Sequence, residues 1–206
     1  MPYSSITNLE LKERFGVEQA FQDNLFRGVQ PQAPSDLLQQ TLLRSVPFAL
    51  LQGSEKARSE FIIAPILLEL REQTDSQISI FSGIDFTVDA ARGLTGFCDF
   101  LISRSAYQAA LETPIVAAVE AKRQDFEQGI TQCIAEMVAA QIYNERRGKA
   151  IGEIYGAVTT GDVWRFLVLR GQTALIETAS FDVRQDLNII LGILRAMALG
   201  NVPVEN

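Results

Sequence analysis

The sequence predicts an α/β protein, in which a mixed β-sheet is flanked by α-helices in the order α-β-β-β-α-β-β-α after an N-terminal helical extension. Two patterns predict this class: apolar residues recur at helical spacing in several segments, and short alternating or wholly apolar runs lie between them, separated by glycine-containing turns. We expect a single domain over residues 1–206, divided into the extension (1–52), a core (54–170) and a C-terminal strand and helix (171–206).

The first half of the chain predicts helices followed by strands. "TNLELKERF" and "SDLLQQTLLRS" predict two short helices in the extension, the second with Ser35 as its N-cap. A longer helix is expected from about Glu55 to Glu72, bent near Pro65, because proline has no amide hydrogen to continue the helix. The runs "QISIFSG", "IDFTVDA" and "TGFCDFLISRS" then predict three consecutive strands, which we expect to be antiparallel.

The second half begins with the most strongly patterned elements. "IVAAVEAK" is so apolar that we expect a central strand covered on both faces. The helix after it repeats apolar residues from Phe126 to Ile142 at helical spacing. "EIYGAVTTG" and "VWRFLVLR" predict two strands that turn at Gly161 and Asp162, and "RQDLNIILGILRAMAL" predicts the last helix. Trp164 is expected in the core, not on a base-stacking surface.

Composition limits the chemistry that is available. The chain has a net charge of −7, two cysteines and no histidine. Neither a zinc site nor a disulfide framework is indicated, so Cys98 and Cys133 are expected in the core. Catalysis would depend on carboxylates, lysine, hydroxyls and carbonyls, and oxygen ligands favour Mg²⁺, Mn²⁺ or Ca²⁺. The acidic balance argues against binding nucleic acid through the whole surface but leaves room for a local basic patch.

The sequence also predicts where the protein acts. The longest uncharged apolar run, Phe61 to Leu68, is too short to span a membrane, and the first residues lack the apolar region of a signal peptide. We therefore expect a cytoplasmic protein with no membrane partner.

Charged residues are predicted to meet at the end of the central strand. Side chains alternate along a strand, so Glu120 and Lys122 share one face. Asp99 lies among apolar residues of an earlier strand, where an ionised carboxylate needs a cation as partner. If the strands are neighbours, Asp99 and Glu120 can bind one divalent cation, with the Ala121 carbonyl as a further ligand. This arrangement predicts phosphodiester cleavage, in which Lys122 orients or deprotonates the attacking water or stabilises charge on the phosphoryl oxygens.

The pattern Asp99 … Glu120-Ala121-Lys122, on strands that follow a glutamate-bearing helix, resembles the PD-(D/E)xK nuclease superfamily. The resemblance spans about Ser54 to Arg170. It implies a restriction-endonuclease-like core and cleavage of nucleic acid, with DNA as the expected substrate and Mg²⁺ or Mn²⁺ as the cofactor.

Two further site residues are implied by this resemblance alone. "SEFIIAPILLEL" is similar to the first helix of type I restriction-subunit nuclease domains, which implies that Glu60 supplements the metal site. A glutamine of the helix after the lysine is implied to face the active site, and Gln132 is favoured over Gln128. Three features depart from the superfamily pattern: Cys98 replaces a proline, Glu136 stands where some members carry a tyrosine, and no accessory DNA-reading domain is recognisable.

The same residues also have ordinary structural interpretations. Glu120 and Lys122 could form a weak surface ion pair, and Asp99 could be a buried acid paired with Arg104 or Arg123. The glutamates and glutamines of the two helices could belong to solvated helix faces.

Two functions therefore stand side by side. The first is a metal-dependent nuclease. The alternative is a catalytically silent module with a nuclease fold, which binds or assembles within a restriction, repair or mobile-element complex; the acidic balance and the missing target-reading domain favour it. A third function, a carboxylate-based hydrolase of substrates other than nucleic acid, is supported by nothing beyond the same residues. A homodimer would add a second DNA-contacting surface.

Overall fold

The computed structural model describes residues 2–122 and 126–203, which form one mixed eight-stranded β-sheet with helices against both faces. This confirms the predicted α/β class. The strands are β1 (Glu18–Gln22), β2 (Ser79–Asp85), β3 (Phe97–Ser103), β4 (Ile115–Ala121), β5 (Glu153–Thr159), β6 (Val163–Arg170), β7 (Thr173–Glu177) and β8 (Phe181–Asp182). The helices are α1 (Asn8–Phe15), α2 (Asp36–Gln52), α3 (Glu55–Arg58), α4 (Ala64–Gln73), α5 (Phe126–Arg146) and α6 (Val183–Leu199).

The sheet order is β1-β7-β6-β5-β4-β3-β2, and β8 pairs with β6 beside this path. β4 and β5 are parallel and are connected by α5, as a parallel pair requires a long crossover. β1 and β7 are also parallel, and all other neighbours are antiparallel. Every residue of β4 is buried, which confirms its predicted central position.

The observed elements differ from the predicted ones in three places. The N-terminal extension is not purely helical, because it contributes β1. "QISIFSG" and "IDFTVDA" do not form two strands; β2 runs through the junction, where Gly83 adopts the positive φ of +60° that favours glycine. Beyond β6, two further strands, β7 and β8, precede α6. β1 escapes prediction because it is a mostly exposed edge strand without an apolar alternation, and it is held by pairing with the distant β7.

The predicted helix irregularity takes the form of a π-helical turn. α3 begins at the predicted Glu55 and continues into α4 through the π-helical segment Ser59–Ile63. Pro65 cannot donate a hydrogen bond to the carbonyl of Phe61, four residues earlier. The hydroxyl of Ser45 donates to that carbonyl instead, at 2.5 Å. The interruption of the helix therefore does not leave the Phe61 carbonyl unsatisfied.

The two faces of the sheet have separate cores. One core lies under α2, α3, α4 and α6, and it contains the fully buried Trp164, as predicted. The other lies under α1 and α5 and contains both cysteines, also as predicted. Along β4, Val119 and Ala121 face the first core and Ala118 the second. Glu120 therefore points toward α5, and this orientation positions the candidate site.

Candidate active site

Glu120 and Lys122 lie together under α5, at the end of β4. Lys122 Nζ is 2.6 Å from Glu120 Oε1, and the two side chains are 15% and 1% exposed. Lys122 Nζ also donates to Gln132 Oε1 at 3.0 Å. The structure thus brings together three of the predicted site residues, and the ion pair is buried rather than on the surface. The exposed Gln128, by contrast, donates to the carbonyl of Ser4.

Asp99 joins this group from the neighbouring strand β3. Its Oδ2 accepts a hydrogen bond from the backbone amide of Ala121 at 2.9 Å. Arg104, one of the arginines proposed as its partner, instead donates from Nε to the carbonyl of Ala198, and Arg123 lies outside the described residues. Burial raises the pKa of Asp99, and the Ala121 amide and the Lys122 ammonium act in the opposite direction.

Burial dominates the electrostatics of the cluster. The pKa of Glu120 is raised to about 7, first by burial and then by the negative charge of Asp99, and the ammonium of Lys122 acts in the opposite direction. For Lys122, burial alone would lower the pKa, but the carboxylates, Glu120 first, outweigh burial and leave the pKa raised. Lys122 therefore remains an ammonium group at neutral pH.

Glu136 is a fifth member of the cluster, one that was not among the predicted site residues. It is fully buried on α5, and its Oε1 accepts from Gln132 Nε2 at 3.2 Å. Burial, and then the charge of Glu120, raise its pKa well above the ordinary value. If both glutamates were ionised, Glu120 Oε2 and Glu136 Oε2 would lack a hydrogen-bond donor. One proton shared between the two carboxyl groups satisfies both.

The sequence contains an indication of Glu136, but its interpretation depends on which side of α5 faces the sheet. Its i, i+4 spacing from Gln132 is equally typical of a solvated stripe. α5 is apolar around most of its circumference between Gly129 and Ala140, so that its polar residues there are buried as well. A helix that is apolar all round is a buried helix, and that property could have indicated an internal glutamate.

The first helix contributes a different glutamate from the one predicted. Glu60 is 50% exposed and pairs with Lys56 Nζ at 2.9 Å, and the structure does not bring it into contact with the cluster. Glu55, in the first turn of α3, instead acts electrostatically on the site, since its charge raises the pKa of both Asp99 and Lys122. An acidic residue in a first helical turn is ordinary helix chemistry, so its position gave no functional signal.

The donor atoms of the cluster fit a hard cation that keeps part of its own ligand shell. Within residues 2–122 and 126–203, no group of three or more acidic, cysteine or histidine side chains is arranged to hold a metal ion. Asp99 and Glu120 offer two carboxylates, and when both glutamates are ionised no donor from the described residues reaches the buried Glu120 Oε2. Mg²⁺ is commonly bound by one or two carboxylates, with water and phosphate completing the octahedron. A metal contact of the Ala121 carbonyl stays a prediction.

Comparison with known proteins adds no family. No protein-family model and no curated protein matches this sequence. None of the helices in the described ranges combines the length and the apolar character that a bilayer crossing requires.

Proposed function

We propose that the protein is a divalent-metal-dependent nuclease of the PD-(D/E)xK type. The observation that carries this proposal is the cluster itself: Asp99, Glu120 and Lys122 come from neighbouring strand ends, and Lys122 Nζ lies 2.6 Å from Glu120 Oε1. The topology agrees with a restriction-endonuclease-like core, since a helix is followed by three antiparallel strands, a crossover helix and a parallel strand.

The residues divide the chemistry between them. Asp99 and Glu120 supply carboxylate oxygens that repel each other until a dication neutralises them. Mg²⁺ or Mn²⁺, when bound, would polarise the scissile phosphate and lower the pKa of a bound water. The ammonium of Lys122 stabilises negative charge on the phosphoryl oxygens and orients the attacking water. Its raised pKa favours these roles over proton removal. Gln132 accepts a hydrogen bond from Lys122 and thereby fixes its direction.

A second candidate is the catalytically silent binding module. Lys122 already pairs with Glu120 Oε1, and Glu136 competes for the other oxygen, so the protein can neutralise its own site without a metal. A cluster that is satisfied in this way can be kept for structural reasons after turnover is lost. The described residues provide no complete protein-only metal site, which is compatible with this candidate.

Lys122→Ala tests the nuclease proposal. Loss of the ammonium removes charge stabilisation from the transition state, so cleavage is expected to fall roughly 100-fold or more. Labelled single-stranded, duplex and branched DNA and RNA are incubated with the protein and Mg²⁺ or Mn²⁺, and the products are separated on gels. Circular dichroism confirms that the variant folds. The exposed Lys149 provides the control, because Lys149→Ala removes the same charge away from the cluster.

The outcomes separate the two candidates. Cleavage that persists in a clean preparation of Lys122→Ala contradicts the assigned role of the lysine. A wild-type protein that binds nucleic acid, but cuts no substrate with either metal, supports the silent module.

A further inference from the structure

Arg165 lies on the same face of the sheet as the candidate site. The strand register aligns Glu120 with Val158 and Val158 with Arg165. Residues opposite each other on neighbouring strands point to the same face. Val158 faces α5, because a Cβ on Gly129 of that helix would lie 2.7 Å from Val158 Cγ1 and 2.9 Å from Lys122 Cγ. Arg165 is thus two strands from Glu120 in one row, or roughly 10 Å at the usual strand spacing.

The guanidinium of Arg165 is held in place by an aromatic ring and a hydroxyl group. It lies over the ring of Phe126, the first residue of α5, at 5.6 Å from the centroid. Nη2 donates to the hydroxyl of the exposed Ser180 at 2.9 Å, and Nε is buried without an acceptor. Among the described residues, no carboxylate pairs with Arg165. On the same strand, Arg170 does pair with an acid, at 2.5 Å from Glu153.

Such an environment suits an anion. Arginine presents five donors in a planar fork that matches the geometry of phosphate, and stacking on an aromatic ring orients the fork. The candidate site beside it is acidic and repels phosphates until it is neutralised, so that a substrate needs a positive contact outside the cluster to be seated. Arg165 offers this contact on the correct face of the sheet.

We propose that Arg165 binds a backbone phosphate of the nucleic-acid substrate next to the one that is cleaved, with Ser180 orienting the guanidinium. The inference rests on the proposed nuclease function and extends the binding site from β4 across β5 to β6. A phosphate contact positions the strand and carries no sequence information by itself. Arg165 therefore sets affinity and register without selecting a sequence.

Arg165→Gln and Arg195→Gln form a matched pair of variants for the test. Both arginines are partly buried, and both substitutions change the net charge equally. Arg195 lies on α6 and donates from Nε to the carbonyl of Gln73, on the opposite face of the sheet. Binding of fluorescein-labelled single-stranded and duplex DNA and RNA is followed by fluorescence anisotropy in EDTA at several salt concentrations, and gels confirm that the probes stay intact.

Arg165→Gln is expected to weaken binding about tenfold, as loss of a charge-assisted hydrogen bond does. The slope of log K against log salt should fall by about 0.7 to 0.9, which corresponds to one phosphate contact. Arg195→Gln should leave the slope unchanged. Arg165→Lys keeps the charge but not the fork, so it should retain the slope and lose part of the affinity.

Three outcomes would overturn the inference. Equal losses in Arg165→Gln and Arg195→Gln would show a general charge effect, and an unchanged slope in Arg165→Gln would show that no phosphate contact was lost. If Arg165→Gln does not fold, wild-type affinity in Arg165→Lys would exclude recognition by the planar fork. All three leave the nuclease proposal standing. A wild-type protein that binds none of the probes in EDTA, and neither binds nor cuts them with Mg²⁺ or Mn²⁺, would remove the nuclease proposal as well.

Discussion

Glu120 and Glu136 are buried carboxyl groups, and ionising them in the candidate site lowers the stability of the fold. Burial raises the pKa of both side chains, to about 7 for Glu120, from an ordinary value of 4.5. Between these two pH values the folded protein binds more protons than the unfolded chain. The free energy of unfolding of the metal-free protein must therefore fall as the pH rises through this window. A cation bound by Glu120 would offset that loss.

Glu136→Gln should remove much of this pH dependence. The amide can donate to Glu120 Oε2 and accept from Gln132 Nε2, so the hydrogen bonds are satisfied without a second charge. We expect the metal-free variant to be more stable than the wild type at pH 8, on the order of 1–2 kcal/mol, and to show a flatter profile between pH 4.5 and 7. Urea unfolding at several pH values measures both quantities.

Glu127 provides the control for this prediction. It lies on the same helix but is exposed, so Glu127→Gln should leave the profile as steep as in the wild type. A Glu136→Gln variant whose stability depends on pH as strongly as that of the wild type would contradict the shared-proton interpretation.

At the scale of single elements, α5 controls the position of Lys122. Gly129 allows the helix to approach β4 and β5 so closely that the stem of Lys122 and the side chain of Val158 occupy the space of a Cβ. Gln132, less than one turn further along, accepts the hydrogen bond of the ammonium group. One turn of α5 therefore determines both how deeply the Lys122 side chain is buried and where its ammonium group points.

Gly129→Ala should impair the proposed cleavage more than it impairs stability. The new methyl group would push against Lys122 Cγ at 2.9 Å, and a displaced catalytic group can reduce the rate roughly 10- to 100-fold. Overpacking should also cost about 1–3 kcal/mol of stability. Cleavage rates are measured well below the unfolding temperature, which separates the two effects.

Gly156→Ala is the matched control, since it overpacks α5 against the same sheet at another place. Its Cβ would lie 2.6 Å from Met137 Sδ and 2.8 Å from Cys133 Sγ, and it would not touch Lys122. We expect a similar loss of stability with cleavage close to that of the wild type. Equal loss of cleavage in both variants would indicate that helix packing in general, and not the lysine, is responsible.

An element can be predicted from the sequence when its pattern involves only neighbouring residues. β4 and α5 could be predicted because strand and helix periodicities are properties of neighbouring residues. β1 could not, since its pairing with β7 is made by a segment remote in the chain. The sequence around Gly83 does not distinguish a turn from a continuous strand, because glycine permits both a turn and a strand with a local kink.

The same distinction applies to the candidate site. Glu120 and Lys122 are two positions apart on one strand, so their common face follows from alternation alone. The proximity of Asp99 required the further assumption that β3 and β4 are neighbours, which the structure confirms. Glu55 and Glu136 are brought near the cluster by tertiary packing, which the spacing of residues in the sequence does not specify.

At the scale of the whole molecule, the N-terminal segment is an integral part of the α5-side core. Tyr3, Leu11 and Val17 are buried there, and β1 extends the sheet beyond β7. Leu11→Ala is therefore expected to cost about 2–5 kcal/mol in urea unfolding, as truncation of a buried leucine does. Leu9, on the same helix, is 62% exposed, and Leu9→Ala should change stability by less than about 0.5 kcal/mol. Equal effects of the two substitutions would contradict this role of the segment.

The parallel pairing of β1 with β7 has a kinetic consequence during synthesis. Asn24, just beyond β1, donates a hydrogen bond from its amide to Glu177, the last residue of β7, and the two residues are 153 positions apart. At ordinary translation rates the earlier segment waits on the order of 10 to 30 s before its partner has left the ribosome. Throughout that interval the nascent chain displays an unmatched edge, and closing so large a loop is an entropically slow event. β1, although it is synthesised first, should therefore be among the last segments to reach its native pairing.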